Sequence, residues 1–243
     1  MLKDLLGAGI LLGYYLIFSF LLPTLLRAWA NTPKELTRKI QHVTYSLSIF
    51  LLLRLFSAWY MAVGSALLLV LVAYPVLMLI EKSSWYQKYL VDRSARGGEL
   101  RKQLIYVQLS FAVLIFIYWG LLGFKWHYIA AVSVMAWGFG DAAAALVGKA
   151  FGRHRVLHYL VEGSKTYEGT GAMVLAAGAA LFLTLLLYAG KPWYVSLLVS
   201  ILVAPVCGII ELFSHKGIDT LTVPFSTAAL IFPLVYFFTW LGW

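Results

Sequence analysis

Charge is what this chain has least of. Only 12% of its 243 residues are charged, against 62% hydrophobic, and the mean hydropathy is +0.86. A soluble domain carries about twice that charged fraction, and a chain this poor in polar side chains cannot cover a globule with them. An ordinary soluble enzyme or binding domain is thereby excluded. Cysteine is nearly missing too. Cys207 alone allows neither an internal disulfide nor a thiolate metal cluster, and within its apolar run it reads as a small buried side chain. With 20 Gly and 7 Pro, nothing is collagen-like or of low complexity, and no internal repeat stands out.

What the chain has instead is long apolar runs. About 20 apolar residues cross a hydrocarbon core as a helix, and helices satisfy every backbone group there. Eight runs are candidates: 5–26, 42–56, 59–80, 104–122, 127–148, 169–188, 193–212 and 220–240. The second is short unless its helix begins earlier. The expectation is an all-α, polytopic integral membrane protein with about eight transmembrane helices, a single domain over 1–243. Ala28-Trp29-Ala30 fits a signal-cleavage pattern, but the run before it is longer than a signal peptide's and Arg27 follows it, which favours a retained anchor.

The cations fall on one side. Connections after odd-numbered runs hold 15 of the 19: Arg27, Lys34, Arg38, Lys39, Lys82, Lys88, Arg93, Arg96, Arg101, Lys102, Lys149, Arg153, Arg155, Lys165 and Lys216. The positive-inside bias makes that face cytoplasmic and places both termini on the non-cytoplasmic side. Topology and attraction to anionic membrane lipids account for most of these charges, and no nucleic-acid partner is called for. Trp29, Trp59, Tyr60, Trp85, Tyr86, Trp126, Tyr128, Trp193, Tyr194, Trp240 and Trp243 cluster at run ends, as an interfacial aromatic belt does.

Membrane residence does not account for acids placed among the cations. Asp141 lies in the fifth run, about seven residues or about 10 Å from its cytoplasmic end. An ionised carboxylate within a membrane helix costs about 2.5–3.5 kcal/mol on insertion scales. A structural partner on a neighbouring helix or a bound cation would compensate it. Gly138 and Gly140 let another backbone, or a ligand, come close. Residues 148–155 read as a loop in which Gly148, Lys149, Gly152, Arg153, His154 and Arg155 combine freed N–H groups with cations, a recipe for polyphosphate.

The stretch 163–170, Gly-Ser-Lys-Thr-Tyr-Glu-Gly-Thr, leads into the sixth run. Ser164, Thr166 or Thr170 can cap that helix, and its free N–H groups favour an anion. Lys165 adds a cation, and Glu168 is a candidate ligand for a divalent ion. It is not a P-loop, because the upstream glycine and strand are missing. Arg38, Lys39 and His42 form a basic cluster entering the second run, either structural or facing phosphate. Glu211 closes the seventh run and Asp219 precedes the eighth. By topology Asp141, Glu168, Glu211 and Asp219 approach one membrane face, and carboxylates with nucleotide phosphates suit Mg²⁺. No Cys/His pattern suggests zinc.

In chain order these are Arg-Lys-x-x-His (38–42), Gly-Asp-x-x-Ala-Ala-x-x-Gly-Lys-x-x-Gly (140–152), Lys-Thr-x-Glu-Gly-Thr (165–170), and Glu211 followed by Asp-x-Leu-x-x-Pro (219–224). Together, over residues 35–230, they resemble the CTP-dependent lipid kinase family of dolichol kinase, phytol kinase, farnesol kinase and CTP-dependent diacylglycerol kinase. The resemblance implies transfer of the γ-phosphate of CTP, or another nucleoside triphosphate, to a lipid alcohol. An isoprenoid alcohol (phytol, farnesol, geranylgeraniol or polyprenol/dolichol) is the first expectation, with Mg²⁺ required. Carried over by position, it implies catalytic roles for Asp141, Lys165, Glu168 and His42. It implies nucleotide binding by Arg38, Lys39, Gly140, Gly148, Lys149, Gly152, Arg153, Lys165, Thr166 and Gly169, and metal binding by Asp141, Glu168, Glu211 and Asp219. Two positions depart: Ser164 stands where a first lysine is common, and Asp219-Thr220 where Asp-Asn is common, so the amide there is lost.

Other readings compete. A diacylglycerol kinase using CTP would share every motif. A CDP-lipid synthase would also need nucleotide, Mg²⁺ and lipid, but its long C-terminal Asp-rich motif is absent. A membrane transporter could place Asp141 at a midplane site, yet the acids cluster at one face and no inverted repeat is visible.

Overall fold

The structure, a computed structural model, describes residues 2–83, 86, 98–215 and 217–242. Lys88, Arg93, Arg96 and Lys216 of the charge pattern, and Trp85 and Trp243 of the aromatic set, lie outside the described residues. Each apolar run forms a helix. The fold is all-helical, 82% helix without a strand among the described residues. Among the described residues, seven helices are long and apolar enough to cross a membrane. The chain divides into two compact units, Met1–Gly120 and Leu121–Trp243.

The first unit holds α1 (Leu2–Ala28), α2 (Lys34–Leu55), α3 (Trp59–Ile80) and α4 (Glu99–Leu121). α1 passes through a π-helical stretch, Leu16–Leu21, just before Pro23. Proline lacks an N–H and its ring crowds the preceding turn, so the ladder widens there. α2 begins at Lys34, well before the expected start at 42. Pro33, extended at ψ 140°, stops the chain from being helical before it. The charges that kept this part of α2 from reading as apolar are themselves buried: Arg38, Lys39, Gln41 and His42 are each less than a tenth exposed.

Polar groups within this unit find one another, since hydrocarbon offers no substitute partner. The Tyr14 hydroxyl donates to the Thr44 carbonyl at 2.8 Å, and the Tyr15 hydroxyl lies 2.6 Å from Ser48 Oγ. Gln108 Nε2 donates to the Tyr15 oxygen at 2.5 Å, tying α4 to α1. Asp4 accepts from the backbone and hydroxyl of Ser57 at 2.8 and 2.7 Å.

The second unit holds α5 (Tyr128–Phe151), entered through a 3₁₀ turn at Phe124–Trp126, then α6 (Tyr167–Tyr188), α7 (Trp193–Phe213) and α8 (Asp219–Trp240). α5 is apolar all round and buried at every position from 128 to 138, so it is the core helix of this unit, with α6, α7 and α8 packed on it. The α7–α8 connection turns at Gly217, whose φ of 84° suits glycine alone at little strain.

The α5–α6 seam is built from small residues at four-residue spacing. A Cβ added to Gly140 would lie 2.4 Å from Met173 Sδ, and one added to Gly148 would lie 3.5 Å from Gly169 Cα. On Gly169 it would lie 2.9 Å from the Ala144 carbonyl oxygen. Gly140, Ala144 and Gly148 thus face Gly169, Met173 and Ala177 across the seam, the close backbone approach that small residues permit. Cys207 is buried, with Sγ 3.1 Å from Thr227 Oγ1. Not every ring of the aromatic set is exposed. Trp29, Tyr60, Trp193 and Trp240 are exposed, but Tyr86, Trp126 and Tyr128 are buried, and Trp126 packs edge-on to Phe232 at 5.1 Å. Position at a run end did not distinguish a lipid-facing ring from one turned inward.

Candidate functional site at one end of the second unit

Four helix ends meet at one end of this unit: the last turns of α5 and α7 and the first turns of α6 and α8. α5 continues through Gly148 and Lys149 to Phe151, and Gly152 caps it, its N–H reaching the Gly148 carbonyl at 3.1 Å. Residues 148–151 are therefore helical rather than loop. Gly152 is confined, since a Cβ there would sit 2.2 Å from the Gly148 oxygen. Asp141 consequently lies ten residues before the helix end at Phe151, about 15 Å at the helical rise. It is buried, 8% exposed.

The connection from α5 to α6 folds back on itself. Arg155 and Thr166 form an antiparallel bridge, Val156 N–H donates to the Lys165 carbonyl at 3.1 Å, and Tyr167 N–H donates to the His154 carbonyl at 3.0 Å. This small clasp fixes what lies at either side of it. Thr166 becomes the N-cap of α6, accepting from Gly169 N–H at 3.1 Å. Of the three possible caps, the clasp selects this one. His154 is brought beneath the first turn of α6, where its ring Nδ1 donates to Glu168 Oε1 at 2.6 Å and its backbone N–H lies 3.2 and 3.3 Å from the two carboxylate oxygens. The sequence placed His154 only among the loop cations, and nothing in its spacing from Glu168 marks the pair.

Lys165, immediately before the cap, reaches across to the end of α7. Its Nζ donates to the Glu211 carbonyl at 3.0 Å and forms an ion pair with the Glu211 carboxylate. A cation there also meets the partial negative charge of the α7 C-terminus. The Glu211 side chain is 5% exposed and that of Lys165 is 19% exposed. Asp141 and Asp219 are both near enough to act electrostatically on Glu211. Lys165, Glu211, Asp141 and Asp219 therefore share one neighbourhood, with the lysine as the cation that offsets acids. Lys149 and Arg153 are exposed beside it on the chain. Glu168 is half-buried and occupied by His154.

Among the described residues, no three His, Cys, Asp or Glu side chains converge as a ready-made metal cage. Mg²⁺ is ordinarily held by one or two carboxylates with substrate phosphates completing the shell, and the hard oxygen donors of Asp141, Glu211 and Asp219 suit that mode.

The Arg38, Lys39 and His42 cluster lies in the first unit. Arg38 pairs with Glu35 one turn back and reaches Glu99 of α4 at 3.7 Å. His42 Nδ1 lies 2.7 Å from Gln103 Nε2, so this helix entry is bound to α4 through polar side chains. Gln103 was not foreseen, because the contact joins positions 61 apart in the chain.

A multi-pass helical membrane protein with acids and a lysine gathered toward one end of its second unit is the class these observations define. The chain is 30% identical over 233 residues to phytol kinase of Synechocystis sp., a match covering 90% of this chain and 86% of that one. It belongs to the phytol kinase family, a family of lipid kinases. No family model and no solved structure matches the chain.

Proposed function

We propose that the protein is a membrane-embedded kinase that transfers the γ-phosphate of a nucleoside triphosphate, CTP by the motif resemblance, to the hydroxyl of an isoprenoid alcohol. The relation to phytol kinase over nearly the whole chain carries the reading. Lys165, Glu211 and Asp219 at helix ends, with Asp141 deeper in α5 and close enough to act on Glu211, support it, because phosphoryl transfer needs placed cations and acids more than covalent chemistry.

The alcohol oxygen attacks the γ-phosphorus, the bond to the β–γ bridging oxygen breaks, and the hydroxyl proton leaves to one carboxylate of the cluster; buried Asp141 is the first assignment, either as that acceptor or as a metal ligand. The nucleoside diphosphate takes the bridging oxygen's electron pair. Lys165, Lys149 and Arg153 hold phosphate oxygens, while Thr166 and Gly169 form the cap that fixes the start of α6 beside them. Gly140, Gly148 and Gly152 serve the nucleotide indirectly, by holding α5 against α6 and its loop. Mg²⁺ would be held by one or two carboxylates drawn from Asp141, Glu168, Glu211 and Asp219 together with substrate phosphates, and would neutralise charge on the phosphoryl oxygens. By the motif resemblance alone, Arg38, Lys39 and His42 of the first unit are also assigned to phosphate. By the positive-inside bias we assign the reacting face to the cytoplasm, with both termini opposite.

The test is purified protein in detergent with Mg²⁺, γ-labelled CTP or ATP, and a panel of lipid alcohols. Label in an isoprenoid monophosphate is expected. Asp141→Asn should lower turnover at least 10³-fold while the protein still purifies as a folded species. Incorporation of label from the α- but not the γ-phosphate, with phosphatidate as acceptor, would replace the kinase with a cytidylyltransferase.

A further inference from the structure

The connection between α5 and α6 carries a surface that the phosphate chemistry does not explain. Beyond the Arg155–Thr166 bridge the chain makes two turns. Val161 N–H donates to the His158 carbonyl at 3.0 Å, and Lys165 N–H donates to the Glu162 carbonyl at 2.9 Å. Leu160 N–H also donates to His158 Nδ1 at 3.2 Å. The tip, residues 156–161, is thus a shaped turn with two sides. Val156 and Val161 are buried and form the inner side. Leu157, Tyr159 and Leu160 form the outer side. Leu157 and Tyr159, 91% and 87% exposed, are more exposed than any other large apolar side chain among the described residues. Single exposed apolar residues need no explanation. Three within four positions, on a turn whose inner side is already apolar, call for a second apolar medium.

Two observations identify that medium. The first is place. The tip is carried between the ends of two membrane-spanning helices, and Phe151 at the end of α5 and Tyr167 at the start of α6 are themselves exposed. The helical stretch that ends in α5, Phe124–Phe151, has 28 residues, about 42 Å at the helical rise. That exceeds a hydrocarbon core of about 30 Å, so its ends reach the headgroup layer. The second is charge. Residues 149–168 hold Lys149, Arg153, Arg155 and Lys165 against two acids, and one of these, Glu168, is bound by His154. Arg155 is exposed two residues before Leu157, and no part of the proposed phosphate chemistry uses it. Leucines, a tyrosine and an arginine side by side match an anionic bilayer surface. The leucines suit the acyl boundary, the phenol suits the headgroup level, and the guanidinium suits lipid phosphate.

We infer that the tip of the α5–α6 connection docks into the surface of an anionic membrane leaflet, with Leu157, Tyr159 and Leu160 at the boundary of headgroups and acyl chains and Arg155 on lipid phosphates. The docking bears on the site, because the same segment carries Lys165 to Glu211, and the His158 ring meets the Phe213 ring edge-on at 5.9 Å. A tip seated in the leaflet holds this segment, and the lysine with it, at a fixed depth. The inference stands independently of the kinase reading.

Spin labels on the full-length protein test it, in nanodiscs of phosphatidylcholine with phosphatidylglycerol. Cys207 is buried, so the wild-type chain supplies the unlabelled background. A label on Leu157→Cys or Tyr159→Cys should meet dissolved oxygen in preference to a water-soluble nickel chelate. The ratio should be at least threefold above that of a label on Ser164→Cys, which is exposed in the polar second turn. Replacing phosphatidylglycerol by phosphatidylcholine, or adding Arg155→Gln, should lower the ratio at position 157 at least twofold. Nickel reaching positions 157 and 159 as readily as position 164 would overturn the inference. So would labels reached by neither reagent, the mark of a protein surface over the tip in place of lipid. A ratio at position 157 unchanged by both the lipid exchange and Arg155→Gln would overturn the choice of an anionic leaflet. None of these readouts uses turnover, so a failure of phosphate transfer would overturn the kinase reading alone.

Discussion

The Lys165–Glu211 contact is where a perturbation is most informative, because its two ends are unequally buried. Two unit charges about 4 Å apart attract by about 4 kcal/mol at an effective dielectric of about 20, and desolvation opposes this. Removing one partner of a buried pair costs about 3–5 kcal/mol, mostly from the charge left behind. Lys165→Met leaves the Glu211 carboxylate, 5% exposed, facing Asp141 and Asp219 with its cation gone. That variant should lose about 3–4 kcal/mol. Glu211→Gln leaves a lysine that is 19% exposed on a flexible stem, able to turn toward water or toward the two aspartates. It should lose only about 1–2 kcal/mol. The double variant should lose less than the sum, with a coupling of about 2 kcal/mol. Unfolding by SDS in mixed micelles, followed by tryptophan fluorescence, measures all four species. Additive losses, or a Glu211→Gln variant less stable than Lys165→Met, would refute the placement of this pair.

Two further perturbations use the same titration. Gly169→Ala brings a methyl 2.9 Å from the Ala144 carbonyl oxygen and should cost about 1–3 kcal/mol by overpacking the α5–α6 seam. Gly171→Ala, two residues on and with open space at its Cβ, should be neutral or gain up to about 1 kcal/mol of helix propensity. Thr166→Val removes the acceptor for Gly169 N–H and should cost about 0.5–2 kcal/mol, whereas Thr166→Ser keeps it and should stay near the wild type.

Much of the architecture was legible before any coordinates. The first apolar run and the helix at Leu2–Ala28 agree to within a turn, as do the third, sixth, seventh and eighth. Hydropathy failed at Lys34–Leu55, where the first turns are charged and yet buried. A window scale treats charge as exposure, whereas here α1, α3 and α4 supply the cover and Glu35, Glu99 and Gln103 the partners. The reading of 148–155 as a loop, made on its glycines and cations, failed at Gly148–Phe151, which is helical. In the fold Gly148 is the place where α6 approaches. The acids were identified in sequence as out of keeping with a membrane helix, and that remains the strongest pointer to the site. Their partners were not, since Lys165 and Glu211 stand 46 residues apart and His154 and Glu168 stand 14 apart, distances no local period encodes.

By itself, then, the sequence determined that this protein is a bundle of membrane helices with acids and cations at helix ends, because hydrocarbon thickness and backbone hydrogen bonding leave a chain of this composition no other form. Only the tertiary structure decided which of those charges neutralise one another, which glycines are seams, and which aromatics are buried. Those outcomes depend on which helix faces which, and an apolar surface that serves lipid and one that serves a neighbouring helix are written in the same residues.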